Sequence, residues 1–283
     1  MCKSRRARVL GRRLDGHQGL RPRRVRGVTT TIVRCRDCGL IYSSPQPVPE
    51  TLAQHYERPP ENYWRDRQMQ SSDAGGVPLG QFRAVWHGDR RPRAVDIGAG
   101  LGQTMDRLAR AGFEVWGCEP SAQFRDRAIE RGIRPERLQL ATVEEAAYEP
   151  RSFDLVSFCA VLEHIADPAR ALERALPWLA PEGVMFIEVP SAGWLIGRLL
   201  NLAYRVQRLD YVTNLSPMHA PYHLYEFTID AFQRHGRRAG YTVASARFLP
   251  CETFLPKPFE PTAQRLMATT GTGMQLQVWL ARR

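Results

Sequence analysis

Residues 94–102 read AVDIGAGLG, an apolar run that breaks into glycines at alternate positions, Gly98, Gly100 and Gly102. A short apolar run bounded by glycines is the pattern of a buried strand leaving for a turn. Glycine there admits backbone with φ > 0 and lets main-chain N–H groups approach a ligand closely. The next segment, QTMDRLARAG, has helical spacing and stops at Gly112. A helix start behind a glycine turn presents unpaired donors and a positive dipole end, suited to a carboxylate or phosphate.

Strand and helix patterns alternate outward from this point. FEVWGCE is a second strand and the helix opening at Ser121 runs to Gly132; LQLATV and FDLVSFCAV are strands three and four. Asp167-Pro168 is a helix start, a capping Asp followed by Pro in the first turn, and Leu172, Ala175, Leu176 and Leu179 give that helix one apolar face. GVMFIEVP is strand five, Thr228 caps a further helix that ends at Gly240, and YTVASARFL and MQLQVWLAR close the chain as a hairpin. The expected fold is α/β: a Rossmann-like, seven-stranded, mostly parallel sheet with helices on both faces. Ligands of such sheets bind beyond the carboxyl ends of the strands.

A dinucleotide fingerprint places its third glycine three residues after the second, where this chain has Gln103, so the NAD pattern fails. The chain has D-x-G-x-G-x-G instead, with Asp96 inside the strand end. Glu119 closes strand two, 21 residues after Gly98, where an acid accepts hydrogen bonds from ribose hydroxyls.

With these residues the chain resembles the class I S-adenosylmethionine-dependent methyltransferases, in the small-molecule branch that includes the ubiquinone-pathway O-methyltransferases. VDIGAGLG, VWGCEPS, FDLVSFCAVLEHIADP, LAPEGVMFIEVP, HLYEFT and RRAGYTV carry the resemblance over residues 35–283. It implies S-adenosyl-L-methionine as cofactor, with Gly98, Gly100 and Gly102 on the methionine moiety and Asp96 orienting its ammonium group. Glu119 would hold the ribose and Pro120 pack near the adenine. Thr142 and Val143 would contact the adenine edge, and Cys159 and Ala160 line the sulfonium side.

Methyl transfer from a sulfonium needs orientation, desolvation and, where the acceptor holds a proton, a base. His164, just past strand four, is the first candidate; capping of the following loop is the competing role. His223 is the second, within an insertion at 191–227 that covers the acceptor in the relatives and carries His219, Tyr222 and Tyr225 as well. Glu163 stands ready to pair with His164 or Arg170. In the ubiquinone-pathway relatives an acid three residues before this Glu completes a divalent-metal site, and here Ala160 stands in its place, so no metal is expected.

The chain has 283 residues with formal charge +11. Residues 1–34 hold Lys3 and ten arginines against one acid, Asp15, which is +10 of that total. This stretch is expected to be a disordered basic tail or an over-extended start; an arm for RNA or anionic lipid is the sharper alternative. Residues 35–90 are expected to form a Cys-x-x-Cys segment and helical lead-in, with a linker at 71–80, and residues 91–283 the cofactor-binding domain. Cys35 and Cys38 have the spacing of half a tetrahedral zinc site. The relatives supply the other half from an earlier Cys-x-x-Cys; here only Cys2 and His17 remain, so a degenerate knuckle without metal, or a mis-set start codon that cut off the first pair, is expected. Six unevenly spaced cysteines and the lack of a secretory h-region suit a cytoplasmic protein. WLIGRLLNLAYRV (194–206) is too short and too charged for a membrane span.

A small-molecule acceptor is the expected partner. Two other classes compete with it: a nucleic-acid (RNA) methyltransferase using the basic tail, and a non-catalytic cofactor-binding regulator. The near-neutral charge of residues 35–283 argues against nucleic acid. So does the absence of an Asp/Asn-Pro-Pro-aromatic loop for exocyclic amines. The intact glycines and Glu119 argue against loss of activity.

Overall fold

The strand that runs into the glycines, β4 (Arg93–Ile97), lies inside a seven-stranded sheet. In a computed structural model of the chain the residues described are 1–16, 21–24, 26–47, 76–219, 222–250 and 257–283. Ala94, Val95 and Ile97 are wholly buried, because helices cover both faces of the sheet. β4 is flanked in parallel by β5 (Glu114–Glu119) and β7 (Phe153–Cys159); β6 (Leu138–Leu140) extends the sheet beyond β5 and β8 (Leu179–Pro190) beyond β7. β10 (Tyr241–Leu249) and β11 (Gln275–Arg282) close the far edge, with β11 antiparallel to both β8 and β10. The order β10-β11-β8-β7-β4-β5-β6 agrees with the expected α/β fold.

Before the sheet comes α1 (Leu79–Val85), which takes in the last two residues expected as linker. Between the strands lie α2 (Gln103–Arg110), α3 (Ala122–Glu130) and α4 (Pro168–Ala175), and after β8 α5 (Leu195–Val206), α6 (Ile229–Ala239) and α7 (Glu260–Thr270). Three helix starts follow capping chemistry read from sequence: the side chains of Ser121, Asp167 and Thr228 accept from the N–H groups of Phe124, Arg170 and Ala231. Gly240 ends α6 in the left-handed region at φ 86°.

The described part of residues 1–34 is not a disordered tail. β1 (Ala7–Leu14) and β2 (Thr29–Cys35) form an antiparallel hairpin, continued by β3 (Ile41–Ser43) and by the two-residue β9 (Tyr225–Glu226) into a second, four-stranded sheet. Two features produce this order. TTTIV in β2 is a β-branched run whose Ile32 and Val33 enter the core. The arginines of β1 find partners far away in sequence. Arg12 makes two bonds to the Asp210 carboxylate (2.8 and 2.7 Å), and buried Arg13 donates to the Leu215 and Gly16 carbonyls (2.6 and 3.1 Å). The backbones of Arg12 and residues 210–212 also exchange hydrogen bonds, Arg12 N–H to Asp210 O and Val212 N–H to Arg12 O. The N-terminal strands are therefore built onto the insertion that follows β8. The helical pattern expected before residue 70 lies outside the described residues.

Candidate functional site

The site lies at the carboxyl ends of β4, β5 and β7. Gly98, Gly100 and Gly102 all have positive φ, at 65°, 54° and 76°. A Cβ on Gly98 would stand 2.7 Å from a methyl of Val161, so both conformation and space require glycine there. The loop is tied back to β5: Ala99 N–H donates to the Cys118 carbonyl at 3.0 Å and Gly98 N–H to its sulfur. α2 begins immediately after Gly102, so the positive end of its dipole adjoins the loop.

Two buried carboxylates face this loop. Glu119, 6% exposed at the end of β5, accepts from Gly100 N–H at 2.8 Å with one oxygen and from Ser121 N–H at 2.9 Å with the other. Burial raises its pKa, and the two N–H donors pull back toward the ionised form. Asp96, 2% exposed, accepts from Ser157 Oγ at 2.6 Å. Burial pushes it up to about 7, and the charge of Glu119 adds to the rise while Ser157 opposes it. Two buried acids within one crevice, beside main-chain donors, suit a ligand that carries both a cation and hydroxyl groups.

The other expected residues line the same end of the sheet. Pro120 follows Glu119 directly and is half-buried, whereas Val143 is fully buried. Thr142 opens a tight turn in which its N–H and Oγ1 donate to Glu145 at 3.1 and 2.9 Å. Cys159 ends β7, receives a hydrogen bond from Thr104 and is held well above the ordinary thiol range by burial. Ala160 follows at φ 55°, a strained value for a residue with a Cβ.

Beyond Ala160 the turn Leu162–His164 brings Glu163 inward. Glu163 is 1% exposed; its Oε1 lies 3.9 Å from Nε2 of both His164 and His223, and its Oε2 has no hydrogen-bond partner among the described residues. Burial pushes Glu163 up to about 8. Desolvation and the imidazoles of His164 and His219 depress His223 well below its usual range. The two rings stand 5.0 Å apart, and His164 Nδ1 is 3.3 Å from the Tyr222 carbonyl. Donor atoms of Glu163, His164 and His223 all lie within 4.8 Å of one another. Sequence reasoning proposed the two histidines separately, 59 positions apart, and gave Glu163 only a supporting part. The fold makes the buried carboxylate the centre of the cluster.

The description "Methyltransferase domain" matches residues 65–246, well over half of the chain. The chain belongs to this family. It is of the S-adenosylmethionine-dependent class, with S-adenosylmethionine as cofactor, in accord with the sequence and the seven-stranded sheet. Over 99 residues it is 34% identical to the ubiquinone biosynthesis O-methyltransferase of Aeromonas salmonicida, covering 34% of this chain and 42% of the relative. Over 115 residues it is 33% identical to the tRNA 5-carboxymethoxyuridine methyltransferase of Escherichia coli, covering 38% and 44%. The matched part thus spans less than half the length of these relatives. A SAM-dependent methyltransferase from Archaeoglobus fulgidus superposes with a TM-score of 0.50 at 14% identity, over 72% of this chain and 91% of that one, a likeness of fold. Among the described residues no helix is long and apolar enough to cross a membrane.

Proposed function

We propose that this methyltransferase moves the methyl group of S-adenosylmethionine to a small organic acceptor held against Glu163, His164 and His223. The observation that carries the cofactor half is the pairing of buried Glu119 with Asp96 around a glycine loop of left-handed backbone. In this reading Glu119 accepts from the ribose hydroxyls and Asp96 faces the ammonium group, while Gly98, Gly100 and Gly102 leave room for the methionine moiety. Pro120, Thr142 and Val143 border the adenine, and Cys159 and Ala160 border the sulfonium. The cofactor supplies a methyl on a sulfur that departs as a neutral thioether.

The chain's own residues orient the acceptor and take its proton. The acceptor's heteroatom forms its bond to carbon as the carbon–sulfur bond breaks, and His164 Nε2 receives the displaced proton. Glu163, 3.9 Å away and closed off from water, holds the imidazolium that results. His223 is the second base. The same carboxylate and two imidazoles are a donor set that suits a divalent ion. Turnover indifferent to EDTA assigns the cluster to proton transfer, whereas turnover lost to EDTA and restored by a divalent salt assigns it to a cation.

One observation favours a second reading, an RNA acceptor. Arg8 in β1 and Arg5, Arg6, Arg23, Arg24 and Arg26 in the segments flanking the two strands are exposed, and one relative is a tRNA methyltransferase. The deciding experiment titrates the protein by calorimetry with S-adenosylhomocysteine, NAD and bulk tRNA, then assays methyl transfer to phenolic acceptors and to tRNA. Binding of the first ligand with transfer to phenols supports the main reading. Binding of NAD alone would remove the cofactor assignment, and transfer only to tRNA would replace the acceptor. His164→Ala should lower kcat about 100-fold with cofactor affinity unchanged, the usual size of one general base.

A further inference from the structure

The cysteine pair left over from the sequence reading has company in the fold. Cys35 ends β2, and Cys38 sits in the turn leading to β3. That turn is closed by two main-chain hydrogen bonds, Gly39 N–H to Cys35 O at 3.1 Å and Cys35 N–H to Leu40 O at 2.9 Å, and Gly39 makes it possible at φ 74°. The N–H groups of Asp37 and Cys38 point at Cys35 sulfur, and that of Leu40 points at Cys38 sulfur. A loop that turns three of its amides toward its two sulfurs is organised to hold thiolates and to aim them at a common point.

A third sulfur meets them from the chain's beginning. Cys2 Sγ lies 3.5 Å from Cys35 Sγ, and the three sulfurs are all within 4.8 Å of one another. Sulfurs around one tetrahedral zinc stand about 3.7–3.8 Å apart, given metal–sulfur bonds of about 2.3 Å. The surroundings match the charge such a centre would carry: Arg6, Arg8, Arg34 and Arg36 line the cleft that holds Cys35 and Cys38. The segment bearing Cys2 is itself fastened, through Ser4 Oγ donating to Asp37 and Arg238 donating to the Met1 carbonyl at 2.7 Å.

We propose that Cys2, Cys35 and Cys38 form a zinc site of three thiolates whose fourth position takes a solvent ligand. The proposal departs from the expectation of a metal-free knuckle: among the described residues the partner the pair lacked is Cys2, brought in by pairing β1 with β2. His17 lies outside the described residues. The centre would pin the start of the chain to the β2–β3 turn. That turn in turn meets the main domain, where Thr228 Oγ1, the cap of α6, donates to the Cys38 carbonyl.

The test uses the full chain, reduced, stripped of metal and passed through a desalting column after loading with zinc(II). The expected result is about one zinc per chain by mass spectrometry, falling to below about a tenth in Cys35→Ser and Cys38→Ser while Cys159→Ser keeps its zinc. Because those variants can fail to fold, the wild-type chain is also titrated with cobalt(II). Thiolate-to-cobalt charge transfer with an intense visible band marks a tetrahedral sulfur site. Two outcomes overturn the proposal: no metal retained by the reduced wild-type chain with only the pale spectrum of hydrated cobalt, or zinc retained undiminished by folded Cys35→Ser. A Cys2–Cys35 disulfide in protein taken from a reducing cytosol also overturns it.

Discussion

Glu119 shows how one side chain links the loop to its ligand. Its two oxygens accept from Gly100 and Ser121 N–H, so the carboxylate that faces the crevice is already fixed in direction. Removing it costs the ligand its acceptors and the loop a tether. Hydrogen bonds to a charged group are worth about 1.5–3 kcal/mol each, so Glu119→Ala should weaken S-adenosylhomocysteine binding at least about 100-fold. Calorimetry that finds affinity within a factor of three of wild type would remove Glu119 from the site. Asp96 makes a different prediction, because it titrates at about 7 in the empty site. A ligand ammonium requires the ionised form, so each pH unit below about 7 should weaken S-adenosylhomocysteine binding about tenfold. Above that pH the affinity levels off. Asp96→Asn should bind weakly with a flat profile from pH 5 to 8, and a wild-type profile equally flat would separate Asp96 from the ammonium. Both acids were legible in sequence because they close consecutive parallel strands, a place set by local pattern alone. Glu163 was not legible as the cluster's centre. Its importance comes from burial and from His223, which reaches it only through tertiary folding.

Single elements divide along the same line. Strands with continuous apolar runs and helices with a capping residue and a terminal glycine signal themselves over a few positions, and β4, α3, α4 and α6 were found this way. The hairpin of β1 and β2 was not, since ten arginines outweigh TTTIV in any composition window and the partners of Arg12 and Arg13 lie 198 and 202 residues away. α5 was read only as an apolar stretch, and the two residues of β9 are too few to show a pattern. The hairpin's attachment makes a testable claim about the insertion it supports. Arg13 is 7% exposed and its guanidinium bonds to the Leu215 carbonyl, beside the segment that leads to Tyr222 and His223. Truncation strands that carbonyl and empties the space. Arg13→Ala should therefore lower stability by about 2–3 kcal/mol. It should also raise the acceptor KM while leaving S-adenosylhomocysteine affinity intact, since β4 and β5 are untouched. Denaturant melts and steady-state kinetics measure the two effects. A dispensable hairpin would show neither, as a disordered tail would.

Across the whole molecule, function has left a signature in the balance of protons. Acids held above their ordinary pKa in the folded state bind more protons there than in the unfolded chain, so stability declines as pH rises through the folded values. Asp96 releases its proton near 7 and Glu163 near 8, and Glu119 and Glu188 are also raised by burial. His223 and His235 are depressed, so the stability tied to keeping them neutral is complete above the unfolded imidazole value and is lost only on acidification. Between pH 6.5 and 8 the histidines add only a fading opposite slope, gone by about pH 7.5, and the acids decide the sign. The protein without ligand should lose about 1 kcal/mol of stability per pH unit over that window for each proton released. Glu163→Gln, which keeps the shape and removes the charge, should melt higher than wild type at pH 8, by a margin that narrows as the pH falls toward the ordinary carboxylate value. S-adenosylhomocysteine should flatten the part of the decline that belongs to Asp96, because its ammonium stabilises the ionised carboxylate, and leave the part that belongs to Glu163. Melting temperatures that rise from pH 6.5 to 8 in the ligand-free chain would show that these carboxylates are already ionised when buried. A site that keeps two acids out of water at a cost to its own stability needs a cation to complete it. The charge that stabilises Asp96 comes with the ligand, whereas the one that stabilises Glu163 arises on His164 as the acceptor gives up its proton.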